Sequence, residues 1–115
     1  MTIKVQCESY PFWRGEVLPV GLFLQDIPFE NATGTMAELK SKRLSPFGSF
    51  PVLEIEDGKF LSETQVCVAY VGKLMNMYPS HDDIIAQGNC GEIINGCTDI
   101  AETILPTMVV CPRIK

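Results

Sequence analysis

Apolar and polar positions alternate at the start of the chain, where Ile3, Val5 and Cys7 are separated by Lys4 and Gln6. This period-2 pattern predicts a short strand, closed by Tyr10-Pro11. From Gly15 the apolar residues Val17, Leu18, Val20, Leu22 and Leu24 predict a helix to about Gln25, in which Pro19 removes a hydrogen bond and introduces a kink. Ile27-Pro28-Phe29-Glu30 reads as a brief extended stretch and Asn31 to Gly34 as a polar loop. Thr35-Met36-Ala37-Glu38 has the T-x-x-E form of a capping box and starts a short helix through Lys42, which Ser45-Pro46-Phe47-Gly48-Ser49 breaks.

Val52 to Glu56, then Asp57-Gly58, then Lys59-Phe60-Leu61 reads as two strands joined by a tight hairpin turn. After Ser62 a helix begins, with Val66, Tyr70, Leu74 and Met77 on one stripe and Cys67, Val71 and Met75 beside it, and Tyr78-Pro79-Ser80 ends it as a linker. A second long helix starts near Asp83. In it Cys90, Ile93, Cys97, Ile100 and Ile104 recur at helical spacing until Pro106 stops it, and Gly88, Gly91 and Gly96 leave packing to hold it together. The order β, α, β, α, β, β, α, then one helix, implies an α/β fold. A parallel crossover and an antiparallel hairpin share one small sheet with helices on its faces.

At 115 residues with 46% hydrophobic and 20% charged positions, the chain has the composition of one globular domain rather than of a disordered segment. Its net charge of −5 lacks the basic footprint that phosphate neutralisation requires, which argues against nucleic acid and anionic membrane as partners. The longest apolar run, Val17 to Leu24, is interrupted by Pro19 and Gly21 and falls far short of a membrane span. The first seven residues are too polar for a signal-peptide core, so a cytoplasmic location is expected. Five cysteines without a C-x-x-C pair point to reduced, packing thiols and to no metal site. His81, the single histidine, has no ligand partners at metal spacing and is expected to be exposed.

Two stretches carry a resemblance. Pro46-Phe47-Gly48-Ser49-Phe50-Pro51-Val52-Leu53-Glu54, then Asp57-Gly58, then Leu61-Ser62-Glu63-Thr64 is similar to the pattern P-F-G-x-x-P-V-L-x, D-G, L-x-[EQ]-S of the cytosolic glutathione transferases. Tyr10-x-x-x-Arg14-Gly15 resembles the catalytic-tyrosine loop of their sigma-like and related tyrosine classes. The resemblance implies a thioredoxin-like sheet domain over residues 1–78, followed at 79–115 by the first helix of an all-helical second domain and a tail. The rest of that second domain has no counterpart, so the helical segment is read as truncated.

The resemblance also implies roles for particular residues. Glutathione is the cosubstrate it points to, with a small electrophile as the second substrate. Pro51 would follow a cis bond, letting the Phe50 amide and carbonyl pair with the peptide as an added strand; on physical grounds alone it is equally a loop proline at a strand start. Glu63 and Thr64 stand where a strand meets a helix, so free helix amides and the Thr64 hydroxyl suit the γ-glutamyl carboxylate while Glu63 suits the α-amino group. Taken alone they are an ordinary helix start. Lys40 would reach the glycyl carboxylate, and otherwise is a solvated helix charge. Tyr10 would donate to glutathione sulfur and favour the thiolate, with Arg14 adding positive potential or anchoring the loop. Asp99 would reach the site of a partner copy across a dimer.

Departures from the pattern fall at Met36, where a tryptophan is usual, at Ser49, which is often basic or Gln, at Glu16, which is frequently Arg, and at Pro19 and Gly21 in the first helix. They weaken the expected glycyl end and alter the expected electrophile pocket. The apolar face of the last helix must bury itself, in a homodimer, in a larger assembly, or in a longer protein. A non-catalytic thioredoxin-fold interaction module is therefore the alternative to a transferase.

Overall fold

The computed structural model describes residues 3–8, 14–56 and 58–110. The chain divides into two compact units, Met1–Tyr78 and Pro79–Lys115. In the first, strands β1 (Ile3–Glu8), β2 (Phe29–Gly34), β3 (Val52–Glu56) and β4 (Lys59–Ser62) form one sheet in the order β2-β1-β3-β4. Helices α1 (Val17–Leu24), α2 (Met36–Ser41) and α3 (Thr64–Leu74) join or follow them. β1 pairs with β2 in parallel and with β3 antiparallel, and β3–β4 is an antiparallel hairpin. This is the expected α/β order, a thioredoxin-like βαβαββα unit followed by a helical segment.

The core explains the alternation in β1. Ile3 and Val5 are buried together with Leu18 and Leu22 of α1, Leu53 of β3, and Cys67, Val71 and Met75 at the α3 end of the cluster. Val5 lies opposite Leu53, and Leu53 opposite Leu61, so one apolar row crosses three strands. Residues between them carry polar contacts: Lys4 Nζ is 3.6 Å from Glu54 Oε1, and Gln6 Nε2 donates to Glu54 Oε2 at 3.3 Å. A register shift between Glu54 and Glu56 inserts one extra residue in β3 before the turn.

Three expectations are corrected, and the choice between the two stripes of α3 is resolved. Residues 31–34 are strand rather than loop, because β2 is an edge strand and its polar side chains can face water while its backbone pairs with β1. Pro19 does not interrupt α1: it sits in the first turn, where its missing N–H has no helical partner, and Leu18 N already bonds the Gly15 carbonyl at 3.2 Å. In α3 the buried stripe is Cys67, Val71 and Met75, whereas Val66 and Met77 are 47% and 63% exposed. Both stripes are apolar enough, and the sheet side decides between them. Pro106 does not stop the last helix, α4 (Ile84–Val110), since it removes a single donor and the Thr107 hydroxyl donates to the Ile104 carbonyl at 2.6 Å in the following turn.

Helix ends follow local rules. The Thr35–Glu38 capping box is formed, with Glu38 N donating to Thr35 Oγ1 at 3.2 Å and Thr35 N to Glu38 Oε2 at 2.8 Å. Helices α1, α2 and α3 all close with a residue at positive φ, Asp26, Arg43 and Asn76, over which the next amide bonds back to Leu22, Leu39 and Gly72. In the second unit Asp83 opens α4 by accepting from Ala86 N at 2.9 Å. His81 is exposed, 2.8 Å from Asp82. Cys67 is buried and donates to the Leu61 carbonyl at 3.5 Å, while Cys97 is exposed. No helix of the described residues is long and apolar enough to cross a membrane.

Candidate functional site

Strand pairing sets the site. Val52 lies opposite Ser62, so the residues just before β3 and just after β4 emerge side by side at one end of the hairpin. They are Ser49, Phe50 and Pro51 on one side and Glu63 and Thr64 on the other. The approach to β3 is built locally: Ser45, almost fully buried, accepts from Phe47 N on its hydroxyl at 3.3 Å and from Gly48 N on its carbonyl at 3.4 Å. Gly48 then takes φ 67°, and the Phe50–Pro51 bond is cis, as the resemblance implies. Pro51 is buried.

Glu63 caps α3 with its backbone, the carbonyl accepting from Cys67 N at 3.0 Å, and stands at φ 75°. Its carboxylate makes no cap bond; Oε1 accepts instead from Ser49 Oγ at 3.2 Å. Glu63 is thus the residue before the helix, with Thr64 first within it, and both are half-buried. The amides of the first turn point out of α3 beside them.

Lys40 joins the group through its stem: a Cβ on Gly48 would lie 3.2 Å from Lys40 Cε and 3.6 Å from Cγ. Glycine takes that approach and the positive φ without strain. The Phe50 ring reaches the end of β2, where Phe50 Cζ and Glu38 Oε2 lie 3.8 and 3.5 Å from the position a Cβ on Gly34 would take. The structure therefore brings together Lys40, Phe50, Pro51, Glu63 and Thr64 from the predicted set. It adds Ser49, which sequence reasoning recorded as a departure; its position two residues before the cis proline was the available signal.

The other members are placed differently. Tyr10 and its neighbours Ser9 and Pro11 lie outside the described residues. Arg14 is half-buried in the turn that leads into α1, and Glu16 is exposed at the α1 cap. Gly21, the other departure in α1, faces α3: a Cβ there would lie 3.2 Å from Val71 Cγ1 and 3.4 Å from Met75 Sδ. Asp99 is exposed on α4, in the second unit. No group of three His, Cys, Asp or Glu able to hold a metal occurs among the described residues.

A half-buried carboxylate beside free helix amides and a hydroxyl offers complementary partners for the ammonium and carboxylate of one amino-acid group. No family model matches the sequence, and no curated protein matches it. Solved structures do. A glutathione S-transferase from Ascaris lumbricoides matches with a TM-score of 0.79 at 20% identity, covering 96% of this chain and 52% of that one. Prostaglandin synthase D of Nilaparvata lugens matches at 0.73 and 25% identity, over 92% of this chain and 52% of that one. A glutathione transferase homologue from Sulfitobacter, solved with bound glutathione, matches at 0.54 and 18% identity, over 65% and 38%. The chain spans about half the length of the first two of these structures. It has a glutathione-transferase-like fold.

Proposed function

We propose, from a fold shared with glutathione transferases, that the chain binds glutathione at the Ser49–Glu63 end of its hairpin and supports thiolate chemistry there. Glu63 takes the α-amino group of the γ-glutamyl end, the Thr64 hydroxyl and first-turn amides of α3 take its carboxylate, the Phe50 backbone pairs with the peptide, and Lys40 meets the glycyl carboxylate. Tyr10 donates to the sulfur and holds it as thiolate, with Arg14 adding positive potential. The sulfur then attacks an electrophilic carbon, or glutathione serves as cofactor in an isomerisation. In this reading the protein is a cytosolic homodimer in which Asp99 reaches the partner's site.

The observation that carries the proposal is the Ser49 hydroxyl on the Glu63 carboxylate at 3.2 Å, beside the start of α3, in a chain of this fold. Calorimetric titration with reduced glutathione, with the oligomeric mass recorded alongside, tests it. Binding by a dimer supports the reading, and Tyr10→Phe then separates chemistry from binding by lowering conjugation while leaving glutathione affinity in place.

Exposed apolar side chains favour a second reading. Phe23 and Leu24 on α1 and Ile93 and Ile100 on α4 face solvent within their own units, the pattern of a protein-interaction module. A folded chain that does not bind glutathione selects it.

A further inference from the structure

In α4 the positions Ala86, Cys90, Ile93, Cys97, Ile100 and Ile104 follow one another in alternate steps of four and three residues. A period of about 3.5 residues marks the narrow seam of a paired helix rather than the broader stripe of a helix lying on a core. Within this chain the seam is open: Ile93 and Ile100 are 67% and 62% exposed, Cys97 and Ile104 are exposed, and Ala86 and Cys90 are half-buried. The carboxylates of the same stretch, Glu92, Asp99 and Glu102, fall at positions turned away from the seam, and the helix contains no Lys or Arg. The seam therefore does not select a partner by opposite charge.

Its pattern of side-chain size identifies the occupant instead. Small residues stand at Ala86, Cys90 and Cys97, and large ones at Ile93, Ile100 and Ile104. Turned end over end about Asn95, the seam falls on itself with the sizes exchanged: Ile104 comes level with Ala86, Ile100 with Cys90, and Ile93 with Cys97. Two antiparallel copies thus meet with one isoleucine and one smaller residue in every layer, the even filling that interdigitation needs. A parallel pair would stack isoleucine on isoleucine and cysteine on cysteine, alternating crowded layers with thin ones. Gly96, beside the seam and near the axis, adds no Cβ where the helices come closest, and the space a Cβ would take there is open. Opposed helix dipoles favour the same orientation. We propose that α4 is a self-complementary docking surface through which two copies of the chain join as an antiparallel helix pair about a twofold axis. The proposal takes up the homodimer of the reading above and does not depend on glutathione binding.

Sedimentation equilibrium of the 115-residue chain under thiol reductant tests it. The expected mass is that of two chains, dissociating on dilution. A single-chain mass throughout the micromolar range overturns the proposal and leaves the seam to a different helix, while glutathione titration of the same sample reports separately on the ligand site. Cys97→Ile crowds the layer shared with Ile93, twice over in the antiparallel pair, and is expected to raise the dissociation constant more than about tenfold. Adding Ile93→Cys exchanges the two sizes across that layer and is expected to restore wild-type association. Both side chains are exposed, so circular dichroism is expected to show an unchanged fold. Association unchanged or tightened by Cys97→Ile, or left unrescued by the second substitution, overturns the antiparallel pairing.

Discussion

The amide of Leu44 reaches back over Arg43 to the carbonyl of Leu39, 3.2 Å away, closing α2 around a residue held at φ 51°. A long side chain in the left-handed region costs roughly 1 kcal/mol that glycine avoids. Arg43→Gly is therefore expected to stabilise the fold by about 1 kcal/mol, read from the urea midpoint. The gain at Asp26 and Asn76 is smaller, since short polar side chains tolerate this conformation better. A lower midpoint for Arg43→Gly would mean that the arginine side chain contributes more than its backbone conformation costs.

Acid is expected to loosen the start of α2. The Thr35 amide, then its hydroxyl, lowers the Glu38 pKa below the unfolded value, with Lys42 adding a smaller attraction. The stabilisation is thus fully present above the unfolded carboxylate pKa and disappears as pH falls through the depressed folded one. Stability measured across the acid range should fall less steeply in Glu38→Gln than in the wild type. Thr35→Ala removes the partner group and is expected to lose about 1 kcal/mol at neutral pH.

Packing between α1 and α3 depends on a small residue. Gly21 stands over Val71 and Met75 at contact distance, so Gly21→Val is expected to force the helices apart at about 1–3 kcal/mol. Leu53→Ala opens a cavity in the row it shares with Val5 and Leu61 and is expected to lose about 2–5 kcal/mol. Thermal unfolding of the two variants checks both, and a neutral Gly21→Val would show that the α1–α3 contact yields easily.

Glu63→Ala is expected to weaken glutathione binding by about 1.5–3 kcal/mol, the worth of a charge-assisted bond, and Thr64→Ala by about 0.5–1.5. Because neither side chain caps α3, both variants should remain folded, which circular dichroism can verify. Unchanged affinity in both places the glutathione site elsewhere.

Strong local chemistry made parts of the fold readable. The turn signal between Glu56 and Lys59 marks the hairpin, and Thr35 with Glu38 marks α2, because each is decided by neighbours in sequence. β2 was illegible past Glu30 because its identity comes from pairing with β1, which polar side chains do not announce. The two stripes of α3 are equally apolar, and only the position of the sheet selects Cys67 over Val66. In the site, Lys40, Phe50, Pro51, Glu63 and Thr64 were named through the resemblance to the glutathione transferase pattern, since each taken alone reads as ordinary loop or helix chemistry. The hydrogen bond from Ser49 to Glu63 could not, since it joins residues on opposite sides of a hairpin.

The first strand, β1, ends up inside the sheet, paired on both sides. β1 is flanked by β2, some 25 residues later, and by β3, which pairs Lys4 with Glu54. Both partners of β1 must therefore be found across long loops, whereas the β3–β4 hairpin closes locally. A chain emerging from the ribosome would carry Ile3 and Val5 unprotected until roughly 50 more residues had been made, which exposes this segment to chaperones and to mispairing more than any other in the sheet.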